Sequence, residues 1–317
     1  MKILVTGGAG FIGSNLIKKL LDNGDDVTAI DNFNNYYNEG YKHKNIDTIN
    51  SEHFNLLPID INDVSGLEKI FKNNKFNKIV HLAAAVGVRN SLINPHLYLK
   101  TNIEGTLNIL EQARINKIKD IVFASSSSVY GNDTKLPSNE TSMTEKPLNP
   151  YAMSKKSAEL LCYAYHKLYD LNITILRFFT VYGPHGRPDM SPYIFIESIL
   201  AGKQLTINGD GSATRDFTYI DDIVNGIIQS LKRQFSYEII NLGSSNPISI
   251  NDFVSLLEEI LDKKAIILFN KKVIGESRDT YADITKAEKL LGFKVSTTLK
   301  EGLIRFINWY KKNRLLS

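Results

Sequence analysis

The 317-residue sequence predicts an α/β fold: a doubly wound parallel sheet with a smaller C-terminal lobe interleaved through it. Three observations predict this. Short apolar runs rich in β-branched residues recur through the first half of the chain, and amphipathic helical patterns separate most of them. After residue 178 the alternation gives way to Pro- and Gly-rich sequence. Strands that are apolar on both faces belong in a parallel sheet covered by helices on both sides, and ligands of such sheets sit at the carboxyl ends of the strands.

In chain order, the predicted strands are "KILVT" (2–6), "DVTAID" (26–31), "FNLLPID" (54–60), "KIVHLA" (78–83), "DIVFAS" (120–125) and "ITILRF" (173–178). The helical patterns between them are "FIGSNLIKKLLDNG", "SGLEKIFKNN", "NPHLYLKTNIEGTLNILEQARINK" and "PYAMSKKSAELLCYAYHKLYDL". Beyond 178, "TVYGPHGRPDMSPYIF" and "NGDGSATRDF" read as turns around a helix, "IESILAGK". "EIINLG" (238–243) reads as one more strand of the main sheet, followed by a helix in "SINDFVSLLEEILDK". The main domain is therefore expected at 1–178 plus about 217–248, and the smaller lobe at about 179–216 plus 249–317. No repeat of 20–50 residues is visible.

Composition narrows the function classes. A net charge of +4 without a dense Lys/Arg cluster suits an anionic small molecule and gives no nucleic-acid surface. No apolar run reaches the length of a membrane span, and the apolar start before Gly7 is too short for a signal-peptide core. The single cysteine, Cys162, allows no intrachain disulfide and reads as a small core residue. A cytoplasmic protein is expected. The six histidines show no ligand spacing, so no metal site is predicted, and His81 reads as a structural strand-end residue.

"TGGAGFIG" puts Gly7, Gly10 and Gly13 between the first strand and the first helix. Such a turn lets backbone N–H groups and the helix N-terminus approach a pyrophosphate. Asp31 follows 18 residues after Gly13, where a carboxylate accepts ribose hydroxyls and repels a 2′-phosphate. This pattern predicts NAD rather than NADP. Asp60, closing the third strand, is a candidate adenine contact or a plain turn residue.

"YAMSK" supplies Tyr151 and Lys155, and "YAYHK" on the same predicted helix supplies a second pair, Tyr163 and Lys167. The two tyrosines are 12 residues apart, about 18 Å along a helix, so both cannot serve one reaction centre. Tyr151 follows Pro150 at the helix start, and Lys155 shares its face. The ammonium of Lys155 is expected to lower the Tyr151 phenol and make it a general base. Tyr163 and Lys167 are read as a structural face.

The motifs "TGGAGFIG", "HLAA", "SSSSVYG", "YAMSK" and "DFTYIDD", in this order over nearly the whole chain, resemble the extended short-chain dehydrogenase/reductase family and, within it, the NAD-dependent nucleotide-sugar epimerases. "RFFTVYGPHGRPDM" (177–190) and "LTINGDGSATRDFTYIDD" (205–222) most resemble the UDP-glucuronate 4-epimerases. The resemblance implies a Rossmann fold with NAD held by Gly7, Gly10, Phe11, Ile12, Gly13, Asp31, Asn32, Asp60, Ile61, Leu82, Ala83, Ala84, Asn102, Tyr151, Lys155 and Phe178. It makes Ser126 the partner of the sugar O4, with Ser127, Ser128, Thr180 and Thr206 at the substrate, and it sets Arg187 and Arg215 against the diphosphate, which guanidinium forks pair well.

The implied cycle removes the O4 proton to Tyr151 and the C4 hydride to NAD, turns the 4-keto sugar over, and returns the hydride to its other face. Related dehydratases carry an Asp-Glu pair after the catalytic Thr, and decarboxylases a Glu at the position of Ser128. This chain has Ser127 and Ser128 there, which leaves epimerisation. The hydroxyls of Ser126, Ser127, Ser128 and Thr180 also suit a substrate carboxylate, and pinning it would keep a β-keto acid from losing CO₂. UDP-glucose, UDP-N-acetylglucosamine, or binding of NAD without catalysis remain alternatives at this point. Family members pair helices such as those near 95–115 and 151–169, so a homodimer is expected, with Leu160, Leu161 and Tyr165 among the apolar residues; a fully buried core helix in a monomer is the alternative.

Overall fold

The computed structural model describes residues 1–271 and 273–314. Its strands are β1 (Lys2–Thr6), β2 (Asp26–Ile30), β3 (Phe54–Leu57), β4 (Lys78–His81), β5 (Asp120–Ser126), β6 (Asn172–Phe178), β7 (Thr180–Tyr182), β8 (Gln204–Asn208), β9 (Thr214–Tyr219), β10 (Tyr237–Leu242), β11 (Pro247–Ser249) and β12 (Ile266–Asn270). Seven of them form one parallel sheet in the order β10-β6-β5-β4-β1-β2-β3. The strand order reverses between β1 and β4, and that switch point opens a crevice at their carboxyl ends.

Alternation along the strands explains the two layers of helices. Ile3, Val5, Val80 and Val122 face a core shared with the helix Phe11–Asp22 and the helix Ile220–Lys232. Leu4, Ile79, Ile121 and Phe123 face the other core, against Val64–Asn73, Gly105–Ile115 and Pro150–Tyr169. Successive side chains of a strand point to opposite faces, so a strand buried on both sides must be apolar throughout.

The remaining strands build two small sheets, β11-β9-β7 and the parallel pair β12-β8. Asp216 ties this region to the main sheet. Fully buried on β9, it accepts hydrogen bonds from the backbone of Ser244 (2.7 Å), Ser245 (3.1 Å) and Ala282 (3.0 Å) and from Ser244 Oγ (2.7 Å).

Two of the predicted elements differ most from the sequence pattern. The third strand stops at Leu57, because Pro58 lacks the N–H that continues a ladder. The pattern 94–117 is not one helix. Asn94 caps a short Pro95–Tyr98 turn, a wider π-type turn spans Leu99–Glu104, and the regular helix resumes at Gly105. Such turns often mark functional sites, and this one carries Asn102.

Candidate active site

The glycine loop fills the switch point. Gly7 has φ +72°, and a Cβ there would come within 2.8 Å of the Ala83 nitrogen, so only glycine lets the loop after β1 lie on the loop after β4. A Cβ on Gly13 would collide with the Gly7 carbonyl, which fixes how closely the first helix approaches. Gly10 caps that helix without a side chain, leaving its first-turn N–H groups for an anion. Ile12 follows in the same turn. Phe11 and Phe178 lie in the core beneath the loop rather than on its surface.

Asp31, just past β2, is nearly buried and accepts from Ala9 N at 3.1 Å and Phe33 N at 2.9 Å, with Lys42 Nζ 3.6 Å away. Burial lowers Lys42, and Asp31 works against that shift. The carboxylate thus braces the glycine loop from the end of β2. Lys42 is a cation at this point that sequence patterns did not single out. Asn32 donates to Asp60 at 2.7 Å, joining the ends of β2 and β3. Burial pushes Asp60 up, but hydrogen bonds from Asn32 and Asn62 and the charge of Lys100 together carry it below the usual carboxylate value. Ile61 turns inward, packed where a Cβ on Gly105 would strike it.

Leu82, Ala83 and Ala84 line the strand-end opposite, partly exposed. Asn102 clamps this loop: its Oδ1 accepts from Ala85 N at 2.7 Å, and its Nδ2 donates to Ala85 O and Ser154 Oγ, both at 2.9 Å. Ser154 donates in turn to the Tyr151 carbonyl at 2.8 Å. The π-type turn therefore ties the loop after β4 to the helix that carries Tyr151. His81 sits below, bound on both ring nitrogens by Thr6 and Thr106, and burial with Lys155 nearby brings its pKa down to about 3, so the ring is neutral.

β5 ends at Ser126, whose Oγ accepts from Ser128 N at 3.2 Å and from Ser128 Oγ at 3.0 Å. A hydroxyl has two acceptor positions and one proton, so the Ser126 proton is left for the Tyr151 hydroxyl, to which it hydrogen-bonds. Asn149 caps the helix by accepting from Ala152 N at 2.8 Å, and Pro150 occupies its first turn. That start sets Tyr151 over Ser126. The ring of Tyr98 meets Tyr151 edge-on at 6.1 Å, and its hydroxyl anchors the carbonyls of Val86 and Gly87.

The expected action of Lys155 on Tyr151 requires correction. Burial pushes the phenol above its ordinary value, and the groups opposing this are Ser126 and Arg187. Lys155 instead donates to the Ala124 carbonyl at 2.8 Å, lies 5.2 Å from the center of the Phe123 ring, and is lowered to about 8 by burial. Low dielectric outweighs proximity here: burying a phenol favours its neutral form, and the ammonium is held by a carbonyl.

Arg187 lies close enough to act on Tyr151, and its fork is taken by Asp189 (2.9 and 2.7 Å). Tyr36, from the loop after β2, donates to the same carboxylate at 2.9 Å. Thr180 opens β7, two residues past Phe178, the register partner of Ser126. Arg215 of β9 donates to the carbonyls of Thr214 and Arg278. Thr206 stands exposed on β8 opposite Leu268, in the two-stranded sheet. Tyr163 is half exposed, with Lys167 lying over its ring, away from the Ser126–Tyr151 cluster.

The sequence profile of the NAD dependent epimerase/dehydratase family matches residues 3–243. The chain belongs to that family. A UDP-glucuronate 4-epimerase of Thermodesulfobacterium geofontis is 46% identical over 315 residues, covering 98% of this chain and 96% of its own. Among solved structures, the UDP-glucuronic acid 4-epimerase of Bacillus cereus, in complex with UDP-glucuronic acid and NAD, is 40% identical with a TM-score of 0.93, covering 98% of this chain and 99% of its own. A UDP-glucose 4-epimerase of Thermotoga maritima with UDP-glucose is 32% identical with a TM-score of 0.92, covering all of both chains.

Proposed function

We infer that the protein is an isomerase, an NAD-dependent UDP-sugar 4-epimerase that interconverts UDP-glucuronate and UDP-galacturonate. The observation that carries this is the meeting of Ser126 and Tyr151 at the carboxyl end of β5, in a chain similar along its length to UDP-glucuronate 4-epimerases. The residues fit the cofactor: the glycine loop admits a pyrophosphate at an uncapped helix end, and Asp31 stands at the ribose position.

Bound there, NAD accepts a hydride from the sugar C4 and returns it. Tyr151 takes the O4 proton, and Ser126 holds that oxygen with the proton it now directs at Tyr151. Lys155, fixed behind by the Ala124 carbonyl, holds the nicotinamide ribose, and Arg187 is the positive charge that favours the tyrosinate when it forms. Ser127, Ser128 and Thr180 hold the substrate carboxylate, and Arg215 and Thr206 of the small lobe face the nucleotide. The division into an NAD-binding domain and a nucleotide-sugar lobe is supported by the separation of the seven-stranded sheet from the two small ones.

A homodimer through the helices near 95–115 and 150–169 is supported by Ile93, Leu97, Leu160 and Leu168, all exposed apolar residues. Leu161 and Tyr165 are half turned to their own core, and Tyr165 donates to Glu111. The buried thiol of Cys162 fits a cytoplasmic protein. Among the described residues, no helix is long and apolar enough to cross a membrane. Incubation of purified protein with UDP-glucuronate, UDP-glucose and UDP-N-acetylglucosamine, with products resolved by NMR, tests the reading. Turnover of the neutral sugars alone would overturn the substrate.

A further inference from the structure

The helix Pro150–Tyr169 carries a further buried polar residue on the face of Tyr151 and Lys155. Glu159 lies four residues past Lys155 and eight past Tyr151, about 12 Å down the helix from the phenol's backbone. It is 1% exposed, and its carboxylate is surrounded. Ser125 Oγ donates to Oε1 at 2.6 Å, Arg177 Nε to Oε1 at 2.9 Å, and Arg177 Nη2 to Oε2 at 2.7 Å. Arg177 is equally buried, with its guanidinium 4.8 Å from the center of the Tyr130 ring. Tyr130 OH donates in turn to Asn241 of β10 at 2.7 Å.

A buried ion pair is poor value as stabilisation alone. Desolvation consumes much of the Coulomb gain, and apolar residues of similar volume often do as well or better. What this pair achieves is placement. Ser125 of β5 and Arg177 of β6 are register partners, so one carboxylate pins the helix to two adjacent strands at one level of the sheet. The residues flanking Ser125 are Ala124, whose carbonyl holds Lys155, and Ser126, which meets Tyr151.

We propose that Glu159 and Arg177 are positioning residues for the reaction: the pair locks the rotation and depth of the helix so that Tyr151 meets Ser126, and it keeps a negative charge beside Lys155. The inference rests on Tyr151 and Lys155 serving the chemistry. Lys155 is faced by Cys162 and Glu159 on its own helix, and by His81 on β4, while Arg177 on β6 is held by Glu159. His81 is neutral, and burial raises the Cys162 thiol, so at neutral pH Glu159 is the anion of this set. Burial lowers Lys155, and Glu159 opposes that shift, which extends the pH range over which Lys155 keeps its proton.

The test uses the holoenzyme. Glu159→Gln keeps the acceptor toward Ser125 and removes the charge. Its kcat should fall about tenfold or more with KM for UDP-glucuronate little changed, since a small displacement of a catalytic group is costly. The alkaline limb of its kcat profile should move to lower pH, because Lys155 then loses its proton sooner. The double variant Glu159→Leu/Arg177→Met replaces the pair by apolar side chains, and it should fold with unchanged or higher Tm while keeping the lower kcat and shifted limb. Parental kcat and pH profile in either folded variant would overturn the proposal, as would failure of both to fold, which would assign the pair to folding. Tyr151→Phe is measured alongside. Full activity there would instead sink the underlying site reading.

Discussion

Lys155 Nζ donates to the carbonyl oxygen of Ala124 at 2.8 Å, one helical turn from Tyr151. The ammonium is therefore held by the strand that ends in Ser126. It is also a buried charge, brought down to about 8 from the usual lysine value. That shift fixes a sign for stability. Below pH 8 both folded and unfolded chains hold the proton, and the folded one bears the cost of burying it. Between about 8 and 10.5 only the unfolded chain keeps the proton, so this cost fades as pH rises.

Lys155→Met should consequently be more stable than the parent at pH 7, by on the order of 2 kcal/mol after the lost carbonyl partner is counted. The advantage should shrink as pH rises from about 8 and be gone by pH 10.5. Paired urea titrations at the two pH values check this, with activity assays showing a loss of 10²-fold or more. A parent more stable than the variant at pH 7 would show that the carbonyl bond outweighs burial.

Ser126→Ala removes a donor that opposes the upward shift of the Tyr151 phenol. Since Tyr151 must lose its proton to act, the acid limb of the kcat profile should move to higher pH. Tyr151→Phe should lower kcat by about 10²–10⁴-fold and leave NAD binding within a factor of a few. Steady-state profiles and NAD titration measure both.

Asp31 braces the glycine loop through Ala9 N and neutralises Lys42. Asp31→Ser should weaken NAD about tenfold and shift preference toward NADP, because Lys42 becomes available to a 2′-phosphate. An unchanged NAD-to-NADP ratio in fluorescence titrations would mean the carboxylate does not set the choice.

If Ser128 and Thr180 pin the substrate carboxylate out of line with the C4 ketone, Ser128→Ala and Thr180→Ala should release more CO₂ per turnover from UDP-glucuronate. Trapped ¹⁴CO₂ from carboxyl-labelled substrate reads this directly. Parental CO₂ with normal binding would remove the role.

The parallel sheet was legible because β1, β4, β5 and β6 are apolar on both faces, a pattern that only helix-covered strands need. Gly7, Asp31, Tyr151 and Lys155 were legible because local spacing places them. Lys42, Asn149, Ser154, Tyr98 and Glu159 were not, since their importance arises from partners up to 126 residues away. The helices Ile220–Lys232 and Leu299–Arg314 and the strand β12 were not legible, because they lie in the half of the chain where the regular strand–helix alternation has ended. The sign of the Tyr151 shift is not legible for a related reason: spacing places residues on one helix face, whereas burial arises only once the chain has folded.

The central claim is that one face of a sugar carbon is oxidised and the same hydride restored to the other. UDP-glucuronate carrying deuterium at C4, incubated with the purified protein, tests it most directly. The account predicts UDP-galacturonate that retains the deuterium at C4, with no added NAD required. Loss of the label to solvent, or no conversion by protein that carries NAD, would contradict it.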